Sequence, residues 1–289
     1  MTYCEICGEQ SHYSPVFDTR SIRSNHSAIF SIGQCQLCGV RKVMNVPPDL
    51  SSYYKNDVMK QKPGPVYTAL KSIFLQHERD RIIQFYNGQV VLDIGAGIGD
   101  LSLVLHKAGI NIITVDTHLQ APIMTRHIKD IPYLQIDYDN YVISNVTPFE
   151  HGTAILRHVL EHVIHPERFL KRLVTYGISS FYIVVPNHGS YEERIFGRYN
   201  WFYDPPLHLW FFKERALRIL LGRLNLAIKA HGYDTIPNIL PSIYRFLYLK
   251  GLAKPDSKSF DTQGVLNSLC TPLNALLPNN VLWFFAEGK

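Results

Sequence analysis

Three sets of residues have types and spacings that can do chemistry. The first is four cysteines in two pairs, Cys4-Glu5-Ile6-Cys7 and Cys35-Gln36-Leu37-Cys38, each followed at once by a glycine, Gly8 and Gly39. Two thiolates presented from each of two tight turns match the tetrahedral four-sulfur coordination of Zn2+, and the glycines allow backbone amides to point at the sulfurs. The pairs enclose 27 residues, more than compact ribbons use, so a small hairpin is expected between them with Ala28 to Ile32 as one strand. Two rival readings stand beside zinc. Disulfides suit an exported chain, and this N-terminus shows no basic-then-apolar leader; a redox pair needs only one Cys-x-x-Cys on a thioredoxin-like βαβ unit. Cys270 stands alone and reads as a small buried hydrophobe.

The second set is the stretch Val90-Val91-Leu92-Asp93-Ile94-Gly95-Ala96-Gly97-Ile98-Gly99-Asp100-Leu101. Three apolar residues run into Asp93, glycine then occupies every second position, and an apolar pattern at helical spacing follows, which predicts a buried strand turning tightly into a helix. Gly95, Gly97 and Gly99 can take positive φ and leave no Cβ between the chain and a ligand laid across the turn. Asp116 closes a second apolar strand, Ile112 to Val115, 23 residues after Asp93, about where a ribose-binding carboxylate belongs in such a βαβ unit. The dinucleotide fingerprint fails on spacing, because its last glycine position falls on Asp100 or Ser102.

The third set is histidines beside predicted strand ends: His158 in Arg157-His158-Val159-Leu160-Glu161-His162, and His208 in Pro206-Leu207-His208. In a doubly wound sheet, Arg157 and His158 at the carboxyl end of strand 4 could face a bound ligand, or the string could simply hold its loop. Glu161 and His162 read as loop-holding residues.

The elements that must position these groups follow from periodicity. A helix over 66–86 places Val66, Leu70, Ile73, Phe74 and His77 on one apolar face. The helix after the glycine turn buries Leu101, Val104, Leu105 and Ala108 and stops at Gly109. Further strands are expected at 133–137, 153–156, 181–187 and 280–286, with helices starting at Pro166 (inward face Phe169, Leu170, Leu173 and Val174), carrying Leu217 to Leu224, and over 243–252. The aromatic and arginine-rich segment from Gly189 to Phe212 reads either as a loop stacking on a planar or sugar ring or as a cap on the core. Asn187 and His188 are candidate substrate contacts.

Asp-x-Gly-x-Gly-x-Gly from Asp93 resembles the first motif of the class I S-adenosylmethionine (SAM) methyltransferases, and His-Val-Leu-Glu-His-Val-x-x-Pro from His158 resembles the ubiquinone-pathway-like branch of that family. The resemblance implies that the glycines pass under the methionine part of SAM and that Asp116 holds its ribose. It also implies that Asp137, ending strand 3, bonds the adenine amino group, and that the Pro-x-His stretch supplies His208 as general base, an imidazole whose ordinary pKa of about 6.5 suits it to take a proton. The four-cysteine unit followed by Val46-Pro47-Pro48 and Tyr53-Tyr54 is similar to that of sugar C-methyltransferases acting on nucleotide-linked sugars, although those carry a Glu-His pair where this chain has Leu207-His208.

Composition sets the outer bounds. At 289 residues and 46% hydrophobic content the chain can bury a sizeable core. A net charge of +5 spread among acids gives weak support for an anionic substrate and poor support for a nucleic-acid groove. No apolar run reaches the ~20 residues of a membrane span, and a soluble cytoplasmic protein is expected. The expected architecture is α/β: a doubly wound, Rossmann-like, seven-stranded sheet over residues 63–289, preceded by a small zinc ribbon and linker over 1–62. The expected activity is SAM-dependent methyl transfer to a small molecule such as a nucleotide-linked sugar. The alternatives are a tRNA or protein methyltransferase reading its target through the ribbon, and a SAM-fold binding protein without turnover.

Overall fold

The computed structural model describes residues 2–21, 28–50, 53, 65–117, 121–137, 141–143, 149–236, 238–253 and 279–288. From the N-terminus, β1 (Thr2–Cys4) and β2 (Glu9–Ser11) pair antiparallel around the first cysteine turn. β3 (Tyr13–Arg20) and β4 (Ile29–Cys35) form the antiparallel pair expected between the cysteine pairs, and β5 (Arg41–Val43) extends it after the second cysteine turn. Then come α1 (Pro65–Ile83), β6 (Val91–Ile94), α2 (Asp100–Lys107), β7 (Ile112–Asp116), β8 (Tyr133–Asp137), β9 (Val142–Ile143), β10 (Gly152–Arg157), α3 (Pro166–Thr175) and β11 (Ile178–Pro186). The chain closes with α4 (Tyr191–Phe196), β12 (Trp210–Phe211), α5 (Glu214–Arg223), β13 (Leu226–Asp234), α6 (Ile239–Leu249) and β14 (Val281–Gly288).

The large sheet has the order β13-β14-β11-β10-β6-β7-β8-β9, and the run from β11 to β8 is parallel. β6 is buried at every residue and β11 at all but one, as strands covered on both faces must be, which is why they read as unbroken apolar runs. Among the described residues the sheet carries eight strands where seven are expected, and two of them, β13 and the two-residue β9 that returns antiparallel along β8 with Ile136 opposite Ile143, are not placed from the sequence.

Contacts divide the chain into two compact units, Met1–Val58 with Val185–Arg223 and Gly232–Trp283, and Met59–Val184 with Leu224–His231 and Phe284–Lys289. In the first unit the small sheet runs β12-β5-β4-β3. Its end strand β12 comes from far along the chain, with Trp210 opposite Lys42 and Phe211 opposite Arg41. Phe30, Ile32 and Val43 of the N-terminal strands share one core cluster with Tyr203 and Phe211. The aromatics of the 189–212 segment are therefore mostly core: Phe202, Tyr203, Trp210, Phe211 and Phe212 are buried, and Tyr191 is exposed.

Three expected helix faces are corrected. On α1, Ile73, Phe74 and His77 point outward, and the inward row is Lys71, Leu75, Glu78 and Ile82, because the two charged members have ion-pair partners in the same unit. Val66 and Leu70 lie outside the described side chains, as Cys270 does outside the described residues. On α2, Ser102 is buried beside Leu101 and Leu105 while Ala108 is exposed, and on α3 Val174 is exposed beside buried Phe169, Leu170 and Leu173. Among the described residues no helix is long and apolar enough to cross a membrane.

Candidate functional site

Gly95, Gly97 and Gly99 have φ of 71°, 57° and 81°, the left-handed region that the spacing predicts, and they carry the chain from β6 into α2. They differ in what their missing side chains leave. A Cβ on Gly97 would meet nothing nearer than the Gly95 carbonyl oxygen at 4.0 Å, so its outer side is open. A Cβ on Gly99 would sit 2.8 Å from Pro122 Cβ and 3.0 Å from Thr125 Cγ2, so that glycine serves packing of the 122–125 turn. The Gly97 amide donates to Asp116 Oδ2 at 2.9 Å, and the Thr117 amide donates to Asp116 Oδ1 at 2.7 Å. The carboxylate at the end of β7 therefore fixes the open turn through the backbone.

Asp93 is buried beneath the turn and accepts from Ser102 Oγ at 2.5 Å. Burial pushes its carboxyl up to about 6, and the Ser102 bond offsets only part of that. Asp100, the first residue of α2, lies next to a cation pair: Arg157 Nη2 donates to its Oδ1 at 2.8 Å and Lys71 pairs with its Oδ2. Burial opposes ionisation here as well, but Arg157 and Lys71 outweigh it and hold the carboxyl below the usual range. Arg157 also reaches Glu78 at 3.2 Å. One guanidinium thus ties β10, α1 and the glycine turn together. Of the two readings the sequence leaves open for Arg157, facing a ligand or holding structure, the second is what its ion pairs with Asp100 and Glu78 do.

His158 follows with φ 56°, a strained value for a residue with a Cβ and one that recurs at sites where geometry is imposed. Its amide donates to the Val184 carbonyl at 2.9 Å and its Nδ1 lies 3.1 Å from Oε1 of buried Glu161. Glu161 thereby orients the imidazole. Asp137 ends β8 on the surface, opposite Val142.

His208 belongs to the other unit. Its amide and that of Leu207 both donate to the Asp204 carbonyl at 3.0 Å, and Pro205-Pro206 is a cis bond within this turn. Its Nδ1 is 2.7 Å from the Phe202 carbonyl oxygen. A carbonyl only accepts, so Nδ1 carries hydrogen there and, in the neutral ring, Nε2 holds the basic lone pair. Of the candidate contacts beside it, Asn187 is spent on structure, donating to Asn279 O at 2.7 Å and accepting from the Gly189 amide at 2.9 Å. His188 is buried among Tyr203, Phe211 and Phe202, with ring centroids at 4.7, 4.9 and 6.4 Å, and neither of its nitrogens has a hydrogen-bond partner among the described residues. Burial pushes its basicity well below the usual histidine value.

The four cysteines converge as their spacing predicts. Their sulfurs lie within 4.8 Å of one another, with Cys4 to Cys38 at 3.8 Å and Cys7 to Cys35 at 3.9 Å. All four are free thiols. A tetrahedron of Zn–S bonds of about 2.3 Å has edges of about 3.8 Å, which the Cys4–Cys38 and Cys7–Cys35 separations match, so the donor set suits a tetrahedral ion. Both turns repeat one backbone form: Gly8 donates to Cys4 O at 2.8 Å and Gly39 to Cys35 O at 3.0 Å, at φ 76° and 77°.

A mostly parallel, doubly wound sheet whose first strand opens through a glycine turn beside an acid-ended neighbour defines a protein of the α/β class. The profile of the family described as "Methyltransferase domain" matches residues 71–231, and the chain belongs to that family: it is a methyltransferase. No curated protein matches it. Solved structures similar to it include a SAM-dependent methyltransferase from Archaeoglobus fulgidus, at 22% identity, covering 75% of this chain and 93% of that one, with a TM-score of 0.47. The 1,6-didemethyltoxoflavin-N1-methyltransferase of Burkholderia thailandensis, solved with S-adenosylhomocysteine, matches at 13% identity over 96% and 99% of the two chains, TM-score 0.47. Magnesium protoporphyrin IX methyltransferase of Synechocystis matches at 12% identity over 80% and 90%, TM-score 0.49.

Proposed function

We propose that the protein transfers the methyl group of SAM to a small-molecule acceptor, with a nucleotide-linked sugar or a precursor of polysaccharide or natural-product assembly as the acceptor class. The observation that carries the reading is the Asp116 carboxylate bonded to the amide of Gly97, a glycine of the turn whose outer side is open. Gly95 and Gly97 would pass under the amino-acid part of SAM, Asp116 would accept from the ribose hydroxyls, and Asp137 at the next strand end would accept from the adenine amino group. Asp93, buried beneath the turn, and Gly99, packed against Pro122 and Thr125, complete the cofactor-binding set by holding the turn in shape.

SAM supplies an activated methyl and a neutral leaving group when bound, so the protein has only to align the acceptor and remove one proton. His208 fits the second task, since the Phe202 carbonyl holds the tautomer that leaves Nε2 basic. His158, oriented by Glu161, lines the site. Cys4, Cys7, Cys35 and Cys38 hold a structural Zn2+.

Labelled methyl from SAM should enter a nucleotide-linked sugar or another small molecule in an acceptor panel. His208→Ala should lower kcat by roughly a hundredfold or more while leaving S-adenosylhomocysteine affinity unchanged, since a general base contributes about 10²–10⁴. Full activity of that variant, or label appearing only in RNA or protein, contradicts the reading.

A further inference from the structure

Arg223, the last residue of α5, does something that neither the methyl-transfer reading nor the four-cysteine motif requires. Its Nη1 donates to the carbonyls of Glu5 at 2.6 Å and Ile6 at 3.2 Å, and its Nη2 lies 3.3 Å from the Tyr3 hydroxyl. Glu5 and Ile6 are the two residues between Cys4 and Cys7. The guanidinium occupies the space a side chain at Gly8 would fill, so a Cβ there would overlap it, whereas a Cβ on Gly39 in the second cysteine turn would meet nothing within 4 Å. The two turns share a backbone form and differ in this one clamp.

α5 begins just after the His208 segment, and that segment is already tied to the cysteine-bearing strands at its other end. Val43 donates to the Leu209 carbonyl at 2.9 Å, Phe211 and Trp210 pair with Arg41 and Lys42, and Tyr203 packs in the Phe30, Ile32 and Val43 cluster. The Arg41 guanidinium adds a bond to Glu193 at 2.6 Å and another to the Tyr203 hydroxyl.

We infer that Arg223 is a positioning residue that couples the metal site to the acceptor-side segment: it holds the first cysteine turn in its metal-binding form, and the metal in turn holds residues 203–223, including His208, in place. The inference rests on the zinc reading above. The physical reasons are two. A Zn2+ with four thiolates carries a net charge of −2, and a fixed cation at the carbonyls of one turn offsets part of it. One guanidinium nitrogen shared by both carbonyls between two ligands, with the second nitrogen at the Tyr3 hydroxyl, also keeps that turn from opening, and residues that orient metal ligands typically change metal affinity by about 10–100-fold.

The test uses the full-length, metal-loaded protein. Zinc content is measured first, then release of zinc to a coloured chelator, then amide hydrogen exchange of the 2–11 and 203–223 peptides with and without metal. Arg223→Gln should release zinc about tenfold faster, with Arg223→Lys, which keeps the charge and loses the second nitrogen that reaches Tyr3, falling between. Removing the metal from the wild-type chain should speed exchange in both peptides together while leaving β6 and β7 protected. A chain that holds about one equivalent of zinc but whose 203–223 amides ignore its removal, or whose Arg223→Gln variant releases it at the wild-type rate, overturns the coupling alone. A reduced chain that holds no zinc overturns the metal reading and the coupling with it. The wild-type exchange experiment decides the matter even if a variant fails to fold.

Discussion

The glycine turn after β6 and the two cysteine turns use the same backbone device, glycine at positive φ, for opposite ends. Around Gly97 the protein keeps its own side chains away and fixes the main chain from behind, through Asp116 and a set of ion pairs on Asp100. Around the cysteine turns it brings four sulfurs together and, at Gly8 alone, fills the space beside the turn with a guanidinium, while the space beside Gly39 stays empty. A turn held from behind and left clear suits a ligand that comes and goes; four converging sulfurs suit an ion that stays. The charges that brace the first are distributed over α1, α2 and β10, whereas the second is built on four cysteine sulfurs within 4.8 Å of one another.

If that contrast is right, the open turn should fail when its charges are unbalanced. Arg157→Ala leaves Asp100 and Glu78 facing each other without their shared cation, and breaking a largely buried pair costs about 3 kcal/mol or more. The melting temperature should fall by several degrees with zinc content unchanged; a wild-type melting curve would mean the brace lies elsewhere.

A smaller effect sharpens the same point through pH. Asp93 has its folded-state carboxyl raised by burial to about 6, above the ordinary unfolded value of about 3.9. A raised acid favours folding fully below the unfolded value and loses that contribution as pH rises through the folded one. The window is thus about pH 4 to 6, and the loss is on the order of 2–3 kcal/mol. Asp93→Asn, which can still accept from Ser102, should remove this slope and narrow the difference in stability between pH 4 and pH 7. An unchanged difference would show that Asp93 is ionised in the fold without penalty.

The smallest effect compares the cysteine turns with each other. Gly39→Ala faces only left-handed backbone strain, of about 1–2 kcal/mol, because the space around it is empty. Gly8→Ala must also displace Arg223, so its loss of stability and of zinc retention should be clearly the larger. Equal losses would remove the asymmetry.

What was legible in the sequence was what is written locally. The cysteine pairs, the glycine run and the acids ending β6 and β7 depend on spacings of a few residues, and each lies where the spacing puts it. What was not legible depends on partners far along the chain. Ile73 and Phe74 look like the inward face of α1 until Asp100 and Arg157 claim Lys71 and Glu78 for the interior. The aromatics at 202–212 look like a binding loop until β5 and the N-terminal strands bury them. β12 is two residues long, and β13 is interrupted by Gly232, whose missing Cβ makes room for the Trp283 ring; neither carries a periodic signal of its own. The Phe202 carbonyl that sets the His208 tautomer is a backbone atom, and no side-chain pattern announces it.

The account rests on the open glycine turn and Asp116 as a nucleoside site, and calorimetry with S-adenosylhomocysteine tests it most directly. The metal-loaded wild-type protein should bind one equivalent. Asp116→Ala should bind about a hundredfold more weakly, since two hydrogen bonds to a carboxylate are worth about 1.5 kcal/mol or more each. No heat from the wild-type protein, or equal affinity in the variant, would contradict the assignment.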